Sequence, residues 1–498
     1  MPTRRVLTKT KKILSPALCA ALCIPLFVSV SQAEVRESSV GPVEYIGGYP
    51  TKETAQKFYD ELDLQRAVEV YLWALPMASY GAMFEETIKL GAGDHAVLVV
   101  DKAAESQQLV LTANQDTIYM SGALDLSKGP MVIDVPAGLL GTMNNIWQQP
   151  LVDLGGPFSP EQNKGGRFLI LPPGYDGPMP AIAYHVVKSD TNTVVFYLRA
   201  IPQSEADLPR LQKLVRTFKQ YRLSEAQNPP KMTFVSMTGK KADFLTHEGF
   251  EFFESLSRYV NANPPRPQDM AMLGMLETLG IAHGREFNPD KRMREILTAA
   301  AKKGRAMAEV VAWHPRVPEK DLHPYEGSPW KKIFISEDPT FHTPDYLAID
   351  QRSRYGFEAI GTSKSMTVAA PGQGSQYVGV YQDDSGLWLT GDHTFSIHLP
   401  KDIPAANFWS LTVYDNHSRS LIQNDQGRAT VGTVHGTVPN ADGSFDTYYG
   451  PKCPDGVPEE NWIQTKPGVG FFVYLRLYGP LESYFDKTWR PGDPKLVK

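Results

Sequence analysis

Short apolar runs, each stopped by turn residues, recur along both halves of this chain, and they constrain the fold more than any other feature. Residues 119–124 alternate loosely, a polar turn follows at 125–130, and the β-branched run Met131-Val132-Ile133-Asp134-Val135 is stopped by Pro136. Two apolar runs around a Gly-Pro turn predict antiparallel strands. Residues 167–171 form another run, closed by Pro172-Pro173-Gly174, and 181–187 and 193–201 flank the turn 188–192. Towards the C-terminus, 377–381 and 387–390 read as a hairpin, followed by strands at 394–399, 408–414 and 471–478. Strands at this spacing predict a sandwich or jelly roll.

Helical patterns are confined to the front and the middle. Thr51 can cap a helix that carries Phe58, Leu62, Val68, Leu72 and Leu75, which Pro76 should end or kink. The large side chains Tyr71, Trp73, Met77, Tyr80 and Met83 suit core packing. Ser204-Glu205-Ala206-Asp207 resembles a capping box ahead of an apolar face at Leu208, Leu211, Leu214, Val215 and Phe218. A further helix carries Phe250, Phe253 and Leu256. Asn288-Pro289-Asp290 predicts a cap with proline at the first helical position, before a stripe from Met293 to Val311. X-Pro pairs crowd residues 313–344 and mark an extended connection.

The expected fold is therefore mostly β (α+β): two jelly-roll-like β-sandwich domains with accessory helices before and between them. The expected segments are a signal peptide at 1–33, an N-terminal β domain with its leading helix at 34–203, and helices at 204–312. The Pro-rich connection at 313–344 and a C-terminal β domain at 345–498 complete the chain. Strand, Pro136, Trp147 and Asp153 recur in order as strand, Pro400, Trp409 and Asp415, which suggests that the two β domains are related.

Arg4, Arg5, Lys9, Lys11 and Lys12 precede a mostly apolar stretch, and Ser31-Gln32-Ala33 offers a cleavage site. This is the pattern of a secretory leader, so a periplasmic or secreted protein without a membrane span after cleavage is expected. Removing the leader's five positive charges takes the formal charge from −5 to about −10, which disfavours nucleic acid and anionic membranes as partners. Of Cys19, Cys23 and Cys453 only the last would remain, so no intrachain disulfide is expected and the fold must rest on its core.

Asn114-Gln115-Asp116-Thr117-Ile118-Tyr119, with Asp125-Leu126-Ser127-Lys128-Gly129-Pro130, resembles the hallmark of domain of unknown function 1254. Residues Phe408-Trp409-Ser410-Leu411-Thr412-Val413-Tyr414-Asp415, with Asn461-Trp462-Ile463 and Arg476-Leu477-Tyr478-Gly479-Pro480, resemble that of domain of unknown function 1214. The resemblance covers most of residues 55–495. It implies two jelly-roll-like domains with accessory helices in a commonly exported protein, and no agreed activity. One departure either alters a pocket wall or is neutral: Ile463-Gln464-Thr465-Lys466-Pro467 stands where the second family has a Pro-rich pattern after Asn-Trp.

Several chemistries are disfavoured. The chain has no Gly-x-Ser-x-Gly elbow, Walker loop, His-Glu-x-x-His or paired Cys-x-x-Cys motif. Gly91-Ala92-Gly93-Asp94-His95-Ala96 lacks a βαβ context, and Ser328-Pro329-Trp330-Lys331 lies in the Pro-rich connection. No nucleotide cofactor is expected; a divalent metal is left open, with the oxygen-rich loop 440–446 its weak candidate.

The candidate catalytic groups are Asp116 and, two apart at the end of a strand, Asp415 and His417. The candidate substrate contacts are Asn114, Tyr119, Trp147, Tyr414, Trp462, Arg476 and Tyr478. Arg476 is a charge inside an apolar strand and needs a carboxylate or an anionic ligand. Two readings remain: an enzyme acting on a small organic or glycan-like substrate by hydrolysis or acid/base chemistry, or a periplasmic binding or assembly protein. A homo-oligomer is compatible with either.

Overall fold

The computed structural model describes residues 33–497, apart from 157, 182, 203, 368 and 369. The expected leader lies outside these residues except for Ala33. The chain divides into two compact units, up to Glu61 and from Leu62 onward. In the first, Ala33–Arg36, Val43–Ile46 and Tyr49–Pro50 form an antiparallel ribbon. Thr51 then starts a helix as expected, its hydroxyl accepting from the Thr54 N–H at 3.2 Å.

Among the described residues helix and strand are about equal, so the chain is mixed α+β rather than mostly β. Two long helices account for much of the difference, α1 (Lys52–Lys89) and α2 (Lys291–Trp313). Between Ala67 and Met83 α1 buries residues on every side, including Tyr71, Trp73, Met77 and Tyr80, in one apolar cluster. Asp290 caps α2, accepting from Met293 N–H at 2.7 Å, so the cap falls two residues later than Asn288 and Pro289 precedes it.

Pro76 does not end α1. A proline at this position deprives the Leu72 carbonyl, four residues back, of its N–H partner. The Ser353 hydroxyl donates to Leu72 O at 3.1 Å instead, and Arg352 donates to Trp73 O. Both come from α3 (Ile349–Glu358), which crosses α1 at this point. Gly356 makes the close crossing feasible, since a Cβ there would lie 3.0 Å from the proline ring. A residue far along the chain thus repairs the break that the local sequence predicts.

The strands build four principal sheets. β1 (Ile118–Asp125) and β2 (Thr193–Ala200) are central in a six-stranded sheet ordered Thr233–Ser236, Ala96–Val100, β1, β2, Leu140–Asn145, Pro150–Leu154. A four-stranded sheet runs His185–Lys188, Gly166–Leu171, Met131–Val135, Lys219–Arg222. The two share one apolar cluster, in which Ile118, Met120, Phe196 and Leu198 join Ile133, Phe168 and Ile170. Gly122 leaves room in that cluster for the Phe196 ring, which an added Cβ would meet at 2.4 Å.

The C-terminal sheets repeat this arrangement. β3 (Ser375–Val380), β4 (Ala405–Asp415) and β5 (Phe471–Pro480) form a five-stranded sheet ordered Lys331–Lys332, β3, β5, β4, Thr430–Gly432. A four-stranded sheet runs Trp462–Gln464, Phe445–Gly450, Phe395–Leu399, Lys495–Leu496. Val378, Leu411, Val413 and Leu475 share a cluster with Phe395, Ile397, Tyr449 and Ile463. In the internal echo, the strand before each proline lies in a four-stranded sheet and the next strand in the larger one. The tryptophans differ, since Trp409 sits within β4 whereas Trp147 follows the end of its strand.

Two expected hairpins have another form. β1 and Met131–Val135 lie in different sheets, and the 3-10 turn Leu126–Lys128 carries the chain across. Asp125 fixes that turn by accepting from Ser127 N–H at 3.1 Å and Ser127 Oγ–H at 2.6 Å. His185–Lys188 and β2 likewise belong to different sheets. Beyond β3 the expected hairpin is present but short. Leu389 N–H donates to Tyr381 O at 2.9 Å and Asp383 N–H to Leu387 O at 2.8 Å around the bridge from Gln382 to Trp388. The Asp383 side chain ties the turn, accepting from the N–H groups of Ser385 and Leu387.

Glu85 on α1 accepts from Arg258 at 2.9 Å and pairs with His247 at 2.9 Å. Burial opposes its charge, but His247 and Arg258 outweigh that and hold the carboxyl at about 2, while the same bond raises the His247 pKa. A lowered carboxyl stabilises the fold above its unfolded value of roughly 4.3 and loses that effect as pH falls towards 2. The raised imidazole stabilises below roughly 6.5 and loses its effect as pH rises through the folded value. Urea unfolding should therefore show Glu85→Gln destabilised most between about pH 4.5 and 6.5, with the variant converging on the parent near pH 2.

Candidate functional site

Strand alternation gives each larger sheet a second face, pointing away from its apolar cluster. On the six-stranded sheet, Tyr119 pairs with Arg199 and Ser121 with Tyr197, so all four share one face. On the five-stranded sheet, Ser375 pairs with Tyr478, Tyr377 with Arg476 and Gly379 with Tyr474. Residues from both faces line one cavity of ≈ 250 Å³, whose remaining wall is largely aliphatic, including Leu98, Val100, Leu140 and Ile333.

Among the described residues the cavity wall contains Arg199 and Arg476 but no Asp, Glu, Lys or His. Arg476 is only 5% exposed. Its Nη2 donates to Thr112 O at 2.8 Å and Ala113 O at 3.5 Å, which are backbone carbonyls rather than a carboxylate. Its Nη1 is buried and, among the described residues, makes no hydrogen bond of good geometry, while the Tyr414 hydroxyl interacts with the guanidinium. Tyr377, Tyr414 and Tyr474 surround the guanidinium, with ring centroids 5.5–5.8 Å from Cζ.

Arg199 reaches across from β2 to β3. Its Nη2 donates to Ser375 Oγ at 3.0 Å, its Nη1 to the Tyr377 hydroxyl at 3.5 Å, and Ser375 Oγ and Tyr377 Oη lie 2.8 Å apart. Burial opposes ionisation of Tyr377. The Arg199 charge, the bonds from Ser375 and Arg199, and Arg476 outweigh it and hold this phenol below the usual tyrosine range.

The segment just before β1 fastens the two larger sheets around this cavity. Thr112 N–H donates to Arg419 O at 2.7 Å, and the Tyr414 hydroxyl donates to Ala113 O at 2.6 Å. Asn114 donates through Nδ2 to the Tyr478 hydroxyl and accepts from the Asp116 N–H at 2.5 Å. Gln115 accepts from the Ala429 N–H at 2.8 Å and donates to Ala104 O at 2.9 Å. Asp116 accepts from Ser410 Oγ–H at 2.6 Å through one oxygen and meets His435 Nε2 at 2.8 Å through the other.

These contacts sort the residues singled out from sequence. Asn114, Tyr119 and Arg476 line the cavity. Tyr478 and Tyr414 support it, Tyr478 stacking on Phe408 at 4.0 Å. Asp116 stands outside the wall, with a fully buried side chain and both oxygens engaged. Its geometry is that of a clasp between sheets rather than a group presented to substrate.

Asp415 and His417 do not share a strand face, because β4 ends at Asp415. The Asp415 carboxylate ties the following turn, accepting from the N–H groups of His417 and Ser418 at 2.9 and 2.8 Å, while His417 is exposed. Trp147 packs on Trp73 at 4.4 Å under Arg266 and Arg352, and Trp462 braces a strand by donating to Gly450 O at 3.0 Å. Neither lines the cavity.

In the loop 440–446, Asp442 ties a turn to Ser444 and Asp446 pairs with His398 at 2.7 Å. Among the described residues no group of three or more His, Cys, Asp or Glu side chains is placed to hold a metal ion. No described helix is long and apolar enough to cross a membrane.

Arg199, Ser375 and Tyr377 are the residues that sequence reasoning missed. Arg199 carried the same signal as Arg476, a lone charge in an apolar β run. Ser375 and Tyr377 carried only their spacing of two. The clasp predicts that Asp116→Ala destabilises the fold in chemical unfolding by about 2–3 kcal/mol, since it strands the buried Ser410 hydroxyl and the half-buried His435 imidazole, with Asp116→Asn costing less. Unchanged stability in Asp116→Ala would contradict it.

Comparison with known proteins agrees with the motif order. Residues 96–222 match a family model described as "Protein of unknown function (DUF1254)", and residues 374–482 match one described as "Protein of unknown function (DUF1214)". No curated protein matches the sequence. Among solved structures, the VPA0106 protein from Vibrio parahaemolyticus is similar in fold, with a TM-score of 0.52 at 18% identity over 88% of this chain and 100% of that one. A putative uncharacterized protein from Burkholderia cenocepacia aligns over 89% of this chain and 96% of that one, with a TM-score of 0.38 at 13% identity. The clasp and Tyr119 fall in the first matched region, and Ser375, Tyr377 and Arg476 in the second. The chain thus carries a DUF1254 region followed by a DUF1214 region, the pairing its motifs resemble.

Proposed function

We propose that this chain is an exported enzyme acting on a small organic acid or an acyl derivative of one, held in the cavity between the two larger sheets. One observation carries the reading: among the described residues the cavity wall presents two arginines and no acidic side chain. An oxyanion in the cavity would meet this positive wall through charge-assisted bonds. The aliphatic remainder of the wall suits an apolar body and disfavours a glycan.

Tyr377, with its lowered phenol pKa, is the group suited to acid/base work at this place. Export rests on the leader pattern of residues 1–33. We also read each pair of sheets as a jelly-roll-like β-sandwich, which the two shared apolar clusters support.

The test is a thermal-shift and calorimetric comparison of benzoate and hexanoate with the neutral benzamide and hexanol. The acids should bind and the neutral analogues should not, with stabilisation approaching about 2.7 kcal/mol at 100 times Kd. Arg476→Met should abolish the preference for acids, and Arg476→Lys should retain part of it. Equal binding of acids and neutral analogues would contradict the reading. If acyl derivatives bind and are recovered unchanged, the protein is a carrier or binding protein instead.

A further inference from the structure

We propose that Ser375 and Tyr377 form a nucleophile–base dyad for acyl transfer, with Arg199 as the positioning residue, and that the substrate is a small carboxylic ester. The inference rests on the cavity reading above and deepens it, because the acid released by such an ester is the anion that Arg476 would hold.

The geometry has the parts that activated hydroxyl nucleophiles require. Ser375 and Tyr377 lie two apart on β3, so both face the cavity, and their oxygens are 2.8 Å apart. Ser375 is buried at 2% exposure, yet it lines the cavity. The fork of Arg199 contacts both oxygens, at 3.0 and 3.5 Å, and fixes their relative position. Arg476 pairs in register with Tyr377, and its guanidinium forms part of the cavity wall as a cationic partner for an oxyanion. No strand-to-helix elbow is needed, since Ser375, the first residue of β3, is held in register against Tyr478 of β5.

The groups facing Tyr377 from the neighbouring elements are Arg199 and Tyr197 on β2, Arg476 and Tyr478 on β5, and Tyr355 on α3. Both charged members are cations, and together they favour the phenolate.

The reaction balances without a further reagent. The Tyr377 phenolate takes the Ser375 proton as Oγ bonds to the ester carbon, and the carbonyl electron pair moves onto oxygen. Collapse of the adduct breaks the bond to the alcohol oxygen, which receives the proton from Tyr377. Water then loses a proton to Tyr377, and its oxygen bonds to the acyl carbon. The Ser375 oxygen leaves and regains that proton, so ester and water become acid and alcohol.

The experiment is intact-protein mass spectrometry after incubation with diisopropyl fluorophosphate, run beside hydrolysis of p-nitrophenyl hexanoate and benzoate binding. One adduct mapping to Ser375 is expected, absent in Ser375→Ala, with hydrolysis slowed about 100-fold or more in Tyr377→Phe. Arg199→Gln should move the alkaline-rising limb of the hydrolysis profile to higher pH, and Arg199→Lys should move it partly back. A structural role alone would lower the rate without moving the limb. Benzoate binding with no Ser375 adduct would overturn the dyad and leave the cavity reading intact. Loss of both would overturn both readings. Thermal unfolding of Ser375→Ala, where a small side chain replaces another, separates loss of chemistry from loss of fold.

Discussion

The docking of residues 112–116 onto β4 and β5 is the constraint on which the cavity depends. In five residues the backbone gives two carbonyls to Arg476 and Tyr414, and three polar side chains reach Tyr478, Ala429, Ser410 and His435. Most of these groups are buried, so each would be costly to leave unmet. The network therefore fixes where β1 begins relative to β5. That relation brings Arg199 over Ser375 and Tyr377. The segment most densely polar in the sequence serves chiefly to hold the face that carries the chemistry.

Electrostatics then sets the character of the cavity. Two guanidinium groups stand in a largely aliphatic enclosure ringed by tyrosines, and the buried Asp116 carboxylate acts on Arg476 from outside the wall. Aromatic faces stabilise a cation without neutralising it. The positive charge is thus left for a phenolate, an incoming anion, or both. Counting charges in the wall explains why a single tyrosine is held below its usual range while its neighbours Tyr197, Tyr355 and Tyr474 are driven up by burial.

Strands such as Met131–Val135, β2 and β5 were legible because β-branched and aromatic runs bounded by Gly and Pro have few other uses. Their pairing was not. Turn residues such as Asp125 and Ser127 announce that the chain changes direction, but not which sheet it enters next. Pro76 fails to end its helix for a related reason, since Ser353 replaces the missing donor from the distant α3. In the site, Arg476 stood out as a charge in an apolar strand, and Asn114 as part of a polar cluster. Asp116 read as a free carboxylate because nothing local reveals Ser410 and His435 as its partners. Ser375 and Tyr377 acquire meaning only when β2 places Arg199 beside them.

The most direct test of the account is hydrogen exchange with and without saturating benzoate. The account holds that one cavity is shared by the faces of two sheets. Slowed exchange is predicted in β1 and β2 and, together with them, in β3 and β5, with the 112–116 segment protected in both states. Protection confined to one sheet, or exchange at 112–116 as fast as in an exposed loop, would contradict it.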